Sequence, residues 1–326
     1  MVSSPSSTSP DSLPSLQTPL ATYQSLLHLL AEHTSVPHPT PLHLSDSLDI
    51  VPYAYLILSC PPGVPLSELR RHGKLSERDD ALIDLSIGRW MREMRDRVQN
   101  DWFGQPKAPS AARSLPPSLP GLPGFFTTSA DEPSYSWQET FTALLEAHLA
   151  AAETRGTLPP AGAAKLRAAL ARAIGSFLFD DCAAPSLLSF TGDAGSVYVA
   201  LPPPVSSPDA VPREPRITAL LPPACALWGD PLLETFFLRG GPEDGTGGRA
   251  GPSQALIEGY GGDPVVFARQ RTKRVWYDVF LALAVLLAPR DDTADGPDGS
   301  ECAAHEAWAR RRLAECVEVL KDAPCY

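Results

Sequence analysis

The sequence predicts a mixed α+β fold, with a small N-terminal portion and a larger, mainly helical remainder. Three observations predict it. Residues 185–200 and 217–237 hold short apolar and β-branched runs (Leu187-Leu188, Val197-Tyr198-Val199, the run from Ile217 to Leu221), each broken by small or turn-forming residues. Long segments on both sides of that block carry apolar residues at helical spacing. Thirty-six prolines gather in the connections between them.

Each element follows in chain order. Residues 1–18 are rich in Ser and Pro and are expected to form a disordered tail. Thr18 is the expected cap of a helix that starts at Pro19 and runs to about His33, with Leu20, Tyr23, Leu27 and Leu30 on one face. Residues 52–60 (PYAYLILSC) are apolar throughout and read as a strand buried on both faces. Ser76 caps a long helix over 76–99, whose stripe of Ile83, Ile87, Met91, Met94 and Val98 reads as core. Trp102, Phe103 and Gly104 close it, and 105–133 is a Pro/Ser-rich loop. Ser136 and Glu139 form a capping box for a helix to about Thr154, with Trp137, Phe141, Leu144, Leu145 and Leu149 inward and His148 at the surface or half-buried. Residues 159–178 form a further helix on Leu166, Leu170, Ile174 and Phe177. After the central block, Arg269, Arg271, Lys273 and Arg274 read as a solvated helix face with Asp278 one turn on. A last helix occupies 301–321.

Composition bounds the function. The 27 Lys and Arg against 38 Asp and Glu leave a net charge of −11, and no basic cluster argues for nucleic acid or an anionic membrane as partner. The six cysteines show neither zinc spacing nor C-x-x-C, as expected of thiols in a reducing compartment. Residues 1–18 lack the basic start and apolar core of a secretory signal, and the apolar run 279–288 is about half of what spans a bilayer. A cytoplasmic location is the expectation, with a small molecule or a protein as the partner.

The order of several short motifs carries more. P-Y-x-Y-L and P-G-x-P-L (53–66), S-W-x-E (136–139), G-S-V-Y-V (195–199), L-W-G-D-P-L (227–232), E-G-Y-G-G-D-P (258–264) and Y-D-x-x-L-A-L (277–283) follow one another along the chain. Together they resemble the aminoglycoside phosphotransferases, small-molecule kinases of the protein-kinase-like fold. The resemblance implies a remnant N-lobe over 19–60, a C-lobe over 61–326, and inserts near 105–133, 201–214, 240–253 and 291–300. It also implies that the nucleotide-covering half of the N-lobe is missing, since the few residues before the first helix contain no Lys and no Gly.

The resemblance assigns the site by position. A kinase needs an Asp beside the attacking hydroxyl, an Asn on the metal, and a second Asp on the metal that bridges the phosphates. In a gap-free register Ser189 stands at the family's His, Thr191 at the catalytic Asp, Ser196 at the Asn, and Pro222 at the metal-binding Asp. A hydroxyl is a weak magnesium ligand and proline offers none, whereas hard cations seek carboxylates. Asp230, in Trp-Gly-Asp-Pro, matches a family position of structural support. A second register lays Thr191-Gly192-Asp193 on His-Gly-Asp and makes Asp193 the base, at the cost of a shortened loop. Two readings follow: a pseudokinase-type binding or scaffold protein without ATP or Mg²⁺, or a residual ATP- and Mg²⁺-dependent phosphotransferase using Asp193. A non-kinase enzyme reusing the cleft between the lobes is a third.

Overall fold

A computed structural model describes residues 2–3, 18–47, 49–107, 133–189, 194–202, 214–221, 225–238, 251–288 and 297–324. The expected inserts at 105–133, 201–214, 240–253 and 291–300 fall largely outside them, as do most of 1–18 and Thr191, Asp193 and Pro222.

The N-terminal portion is one sheet and one helix. Strands β1 (Val2–Ser3), β2 (Pro41–Ser45) and β3 (Tyr55–Leu58) pair antiparallel in the order β1-β3-β2. Helix α1 (Leu20–His33) packs Tyr23 and Leu27 against Leu56. Thr18 does not cap it; its Oγ1 instead accepts from the Ala226 amide at 3.0 Å, tying the start of the helix to the central block. The strand expected over 52–60 is shorter and not buried on both faces, since Ile57 is 40% exposed. The helix covers one face of β3, which is enough to keep an apolar run on a one-sided strand.

The chain then crosses into the larger portion through β4 (Val64–Pro65) and a short helix, α2 (Leu66–Arg71), which the sequence pattern did not suggest. Gly63 makes that crossing possible: its φ is +104°, and a Cβ there would collide with the Val199 carbonyl. Helix α3 (Glu77–Arg97) starts where Ser76 Oγ accepts from the Asp79 amide at 3.1 Å. Helices α4 (Trp137–Thr154) and α5 (Pro160–Gly175) follow, and Ser136 Oγ caps α4 through the Glu139 amide at 3.2 Å.

The central block supplies β5 (Ser186–Ser189), β6 (Val197–Ala200), β7 (Arg216–Leu220) and β8 (Ala226–Gly229). The two strand–loop units separate in space. β5 pairs with β8, while β6 lies between β4 and β7. Helices α6 (Gln254–Tyr260), α7 (Ala268–Leu287) and α8 (Pro297–Asp322) complete the fold.

Two cores hold this portion together. One centres on aromatic side chains of α4 and α7, where Trp137, Phe141, Tyr277 and Phe280 pack with Phe179 in tilted and edge-on contacts. The other joins α2 and α3 to β6, β7 and α6 through Ile83, Ile87, Met91, Val197, Val199 and Leu256. Helices α3 and α6 meet backbone to backbone at two glycines. A Cβ on Gly88 would strike the Leu256 carbonyl, and one on Gly259 the Leu85 carbonyl.

Candidate functional site

The strand register brings the described ends of the two loops near one another. Ser189 ends β5 directly opposite Ala226, the first residue of β8. On the other sheet Val197 starts β6 opposite Leu220, the last residue of β7. The Leu221 amide donates to the Ser196 carbonyl at 2.8 Å, so the short 3-10 turn Ala194–Ser196 abuts the chain as it leaves β7. The described ends of the segments holding Thr191, Asp193 and Pro222 therefore meet beside Ser189 and Ser196. The crossing between the lobes is fastened to the same sheet, where Thr218 Oγ1 donates to the Pro62 carbonyl at 2.5 Å. Among the described residues no three His, Cys, Asp or Glu side chains converge where they could hold a metal ion.

The other end of β8 is different in kind. Asp230 is buried and caps the 3-10 turn Pro231–Leu233 by accepting from the Leu232 amide at 2.9 Å through Oδ1. Its Oδ2 accepts from Lys273 Nζ at 2.6 Å and from the Tyr277 hydroxyl at 2.8 Å. That hydroxyl in turn accepts from Trp137 Nε1 at 2.8 Å. Lys273 also binds Asp181, which lies nearer the surface.

The neighbouring Arg274 donates to the Leu232 and Glu234 carbonyls and, through Nε and Nη2, to Asp278 Oδ1 at 3.0 and 2.8 Å. Asp278 Oδ2 accepts from Arg312 of α8 at 2.6 and 3.1 Å. Three carboxylates (Asp181, Asp230, Asp278) thus face three cations (Lys273, Arg274, Arg312).

This corrects the sequence reading of 269–274 as a solvated face. Arg269 is half-buried and Arg271 is exposed, but Lys273 and Arg274 are 2% and 4% exposed. The missed cue is the spacing: Lys273, Arg274, Tyr277 and Asp278 alternate with Trp276 and Phe280 on a helix whose buried face covers most of its circumference. A charged pair inside such a helix is a buried pair. His148 is likewise buried rather than superficial, its Nδ1 2.8 Å from the Leu144 carbonyl and its ring 4.7 Å from that of Phe280.

The electrostatics of the cluster fix its protonation. Burial works against the Lys273 ammonium, but Asp230 and Asp181 outweigh it and hold its pKa above the usual lysine value. Burial, reinforced by Asp230, pushes the Tyr277 hydroxyl well above the ordinary tyrosine range. Burial, again with Asp230, raises the Cys182 thiol, which is therefore a poor nucleophile. At neutral pH the lysine keeps its proton and so does the tyrosine. The cluster positions chain; it does not exchange protons.

A cavity of about 980 Å³ opens beyond this end of β8. Phe237, Ser253, Ile257, Glu258, Asp263 and Arg274 are among its lining residues. Among the described residues, its lining includes neither the 3-10 turn at Ser196 nor the ends of β5 and β7.

The arrangement of β4 through β8, with helices α3 to α8 beneath, is the larger lobe of a protein-kinase-like fold. Solved structures narrow this to one kind. A thermostable mutant of aminoglycoside phosphotransferase APH(4)-Ia, in ternary complex with AMP-PNP and hygromycin B, superposes with a TM-score of 0.50 at 16% identity, over 91% of this chain and 82% of that one. A presumed aminoglycoside phosphotransferase from Ralstonia eutropha JMP134 gives a TM-score of 0.53 at 13% identity, over 93% of this chain and 83% of that one. The chain has the aminoglycoside-phosphotransferase fold; identities this low establish the fold alone. No family profile matches the sequence, and no curated protein matches it. Among the described residues no helix is long and apolar enough to cross a membrane.

Proposed function

We propose that this chain is a pseudokinase-type binding or scaffold protein: it keeps the phosphotransferase frame and does not transfer phosphate. One observation carries the reading. In the gap-free register, Thr191, Ser196 and Pro222 stand at the three positions that would hold the base and the magnesium ions. Two hydroxyls and a pyrrolidine ring are a donor set that does not fit a hard dication carrying triphosphate. ATP and Mg²⁺ are accordingly not cofactors on this reading, and the partner is a small molecule or a protein.

Thermal unfolding with and without ATP–Mg²⁺ tests it, because any ligand of the folded state raises the midpoint by mass action. The expected shift is nil, together with no release of labelled phosphate. The Thr191-Gly192-Asp193 tripeptide favours the alternative, a small-molecule phosphotransferase with Asp193 as base. Turnover of ATP that disappears in Asp193→Ala would establish that alternative and end the first reading.

A further inference from the structure

Helix α1 straddles the two portions of the molecule. Tyr23 and Leu27 face the N-terminal sheet, whereas Leu26 and Leu30 enter the core of the larger portion. Thr18 and Thr22 precede Leu26 and Leu30 at the same four-residue spacing, so they continue the face that meets the larger portion. Thr18 is already joined to it, through the Ala226 amide at the start of β8.

The start of α1 leaves its donors without acceptors. The first intrahelical bond runs from the Tyr23 amide to the Pro19 carbonyl at 2.8 Å. The amides of Leu20, Ala21 and Thr22 come before it and have no intrahelical acceptor. Pro19 holds the cap position and has no side-chain oxygen, and the first turn carries no acidic residue. By itself this is an ordinary helix start, which water would satisfy.

Thr22 supplies a second, independent observation. It is 1% exposed, and among the described residues its Oγ1 has no hydrogen-bond partner. Ser25, Ser86, Thr140 and Thr154, also inside helices, each donate to the carbonyl four residues back. For Thr22 that carbonyl belongs to Thr18, and the bond is not made. Helical side chains tilt toward the N-terminus, so the Thr22 hydroxyl lies over the same first turn as the three amides. A buried donor without an acceptor costs stability, and an acceptor-rich group at this turn would answer it.

We propose that the start of α1 is a binding site for a phosphate group, held by the Leu20, Ala21 and Thr22 amides, the Thr22 hydroxyl and the positive end of the helix dipole. Four donors on one turn suit a tetrahedral oxyanion. No carboxylate stands among them, so the site has no ligand for a magnesium ion and takes phosphate without one. The phosphate has two chemical sources. One is a soluble phosphate compound. The other is a phosphoryl group on Thr18 itself, transferred to its hydroxyl from a nucleoside triphosphate by a separate protein kinase, with the diphosphate leaving and the hydroxyl proton released. In that case the tie to Ala226 is given up. The proposal stands whichever register holds at 191, 193, 196 and 222.

Amide NMR spectra of the full chain test it in two arms. Inorganic phosphate is titrated without Mg²⁺ in one, and phosphothreonine is genetically encoded at position 18 in the other. Saturable shifts of the Leu20, Ala21 and Thr22 amides in the first arm assign a soluble ligand. The same shifts without added phosphate in the second assign Thr18. Thr22→Val should weaken the binding of inorganic phosphate, or the shifts in the phosphothreonine chain, about tenfold, the usual weight of a hydrogen bond to a charged group. Pro19→Asp is the decisive variant, because its carboxylate caps the helix. It should unfold at a higher urea concentration than the parent and abolish the shifts. No shift in either arm, equal shifts with chloride at the same ionic strength, or an unaltered response in Thr22→Val would each overturn the proposal. So would shifts that survive in Pro19→Asp, or a urea midpoint that does not rise in it.

Discussion

The two ends of β8 differ in what they keep. At Ala226 the strand pairs with Ser189, near the described ends of two segments that, in the gap-free register, carry no carboxylate at Thr191, Ser196 or Pro222. At Gly229, about 10 Å further along at strand rise, it delivers Asp230 into a buried cluster in which Lys273, Arg274, Tyr277 and Asp278 are all engaged. One end of a single strand retains a costly set of buried charges, and on the proposed reading the other has neutral residues where the fold's chemistry would need ions. Demands of folding and demands of catalysis are thus separable over a few residues. Buried charges persist when removing one strands its partner.

The largest effect expected from that contrast is at Asp230. Asp230→Ala leaves Lys273 with only the half-exposed Asp181, deprives Tyr277 of its acceptor and uncaps the Leu232 amide. A loss of about 3–5 kcal/mol is expected from urea unfolding, the range for breaking a buried pair from one side. On the proposed reading, Asp193→Ala should cost less than about 0.5 kcal/mol. Equal losses in the two variants would erase the difference between the ends of the strand.

Next in size is the helix crossing in the other core. Gly88→Ala puts a methyl group into the Leu256 carbonyl and must push α6 away from α3. About 1–3 kcal/mol of destabilisation is expected from such overpacking. A stabilised variant, the usual result of Gly→Ala in a helix, would mean that the two helices do not touch there.

Much of this frame was legible in the sequence, and the exceptions share a cause. Helices α3 and α4 were readable because Ser76 and Ser136 are capping residues followed by apolar stripes. The strands of the central block were readable from β-branched runs between turn residues, and the motif order pointed to the fold that the solved structures share. Lys273, Arg274 and His148 were misplaced because burial of a polar residue depends on what packs over it. Asp230 reaches Lys273 across 43 positions, the Leu232 and Glu234 carbonyls reach Arg274 across 42 and 40, and Phe280 reaches His148 from a separate helix, so no local pattern announces them. The exposed Ile57 is the converse case: an apolar run states what a strand could bury, and only the single covering helix decides how much it does.

The smallest effect probes the misplaced histidine. Burial holds the His148 imidazole below its usual pKa of 6.5, only partly offset by its hydrogen bond to the Leu144 carbonyl. The neutral ring is therefore the form the fold accepts, and the unfolded chain binds the proton more readily. The sign follows: the group contributes nothing while pH stays above the unfolded value. Stability is then lost as pH falls through that value toward the lower, folded one. The slope cannot exceed about 1.4 kcal/mol per pH unit. Urea midpoints at pH about 7.5 and about 5.5 should fall further for the parent than for His148→Gln, whose side chain can still donate to Leu144 without titrating. A parent and variant with parallel pH profiles would place the imidazole in water, and the contact with Phe280 would lose its energetic meaning.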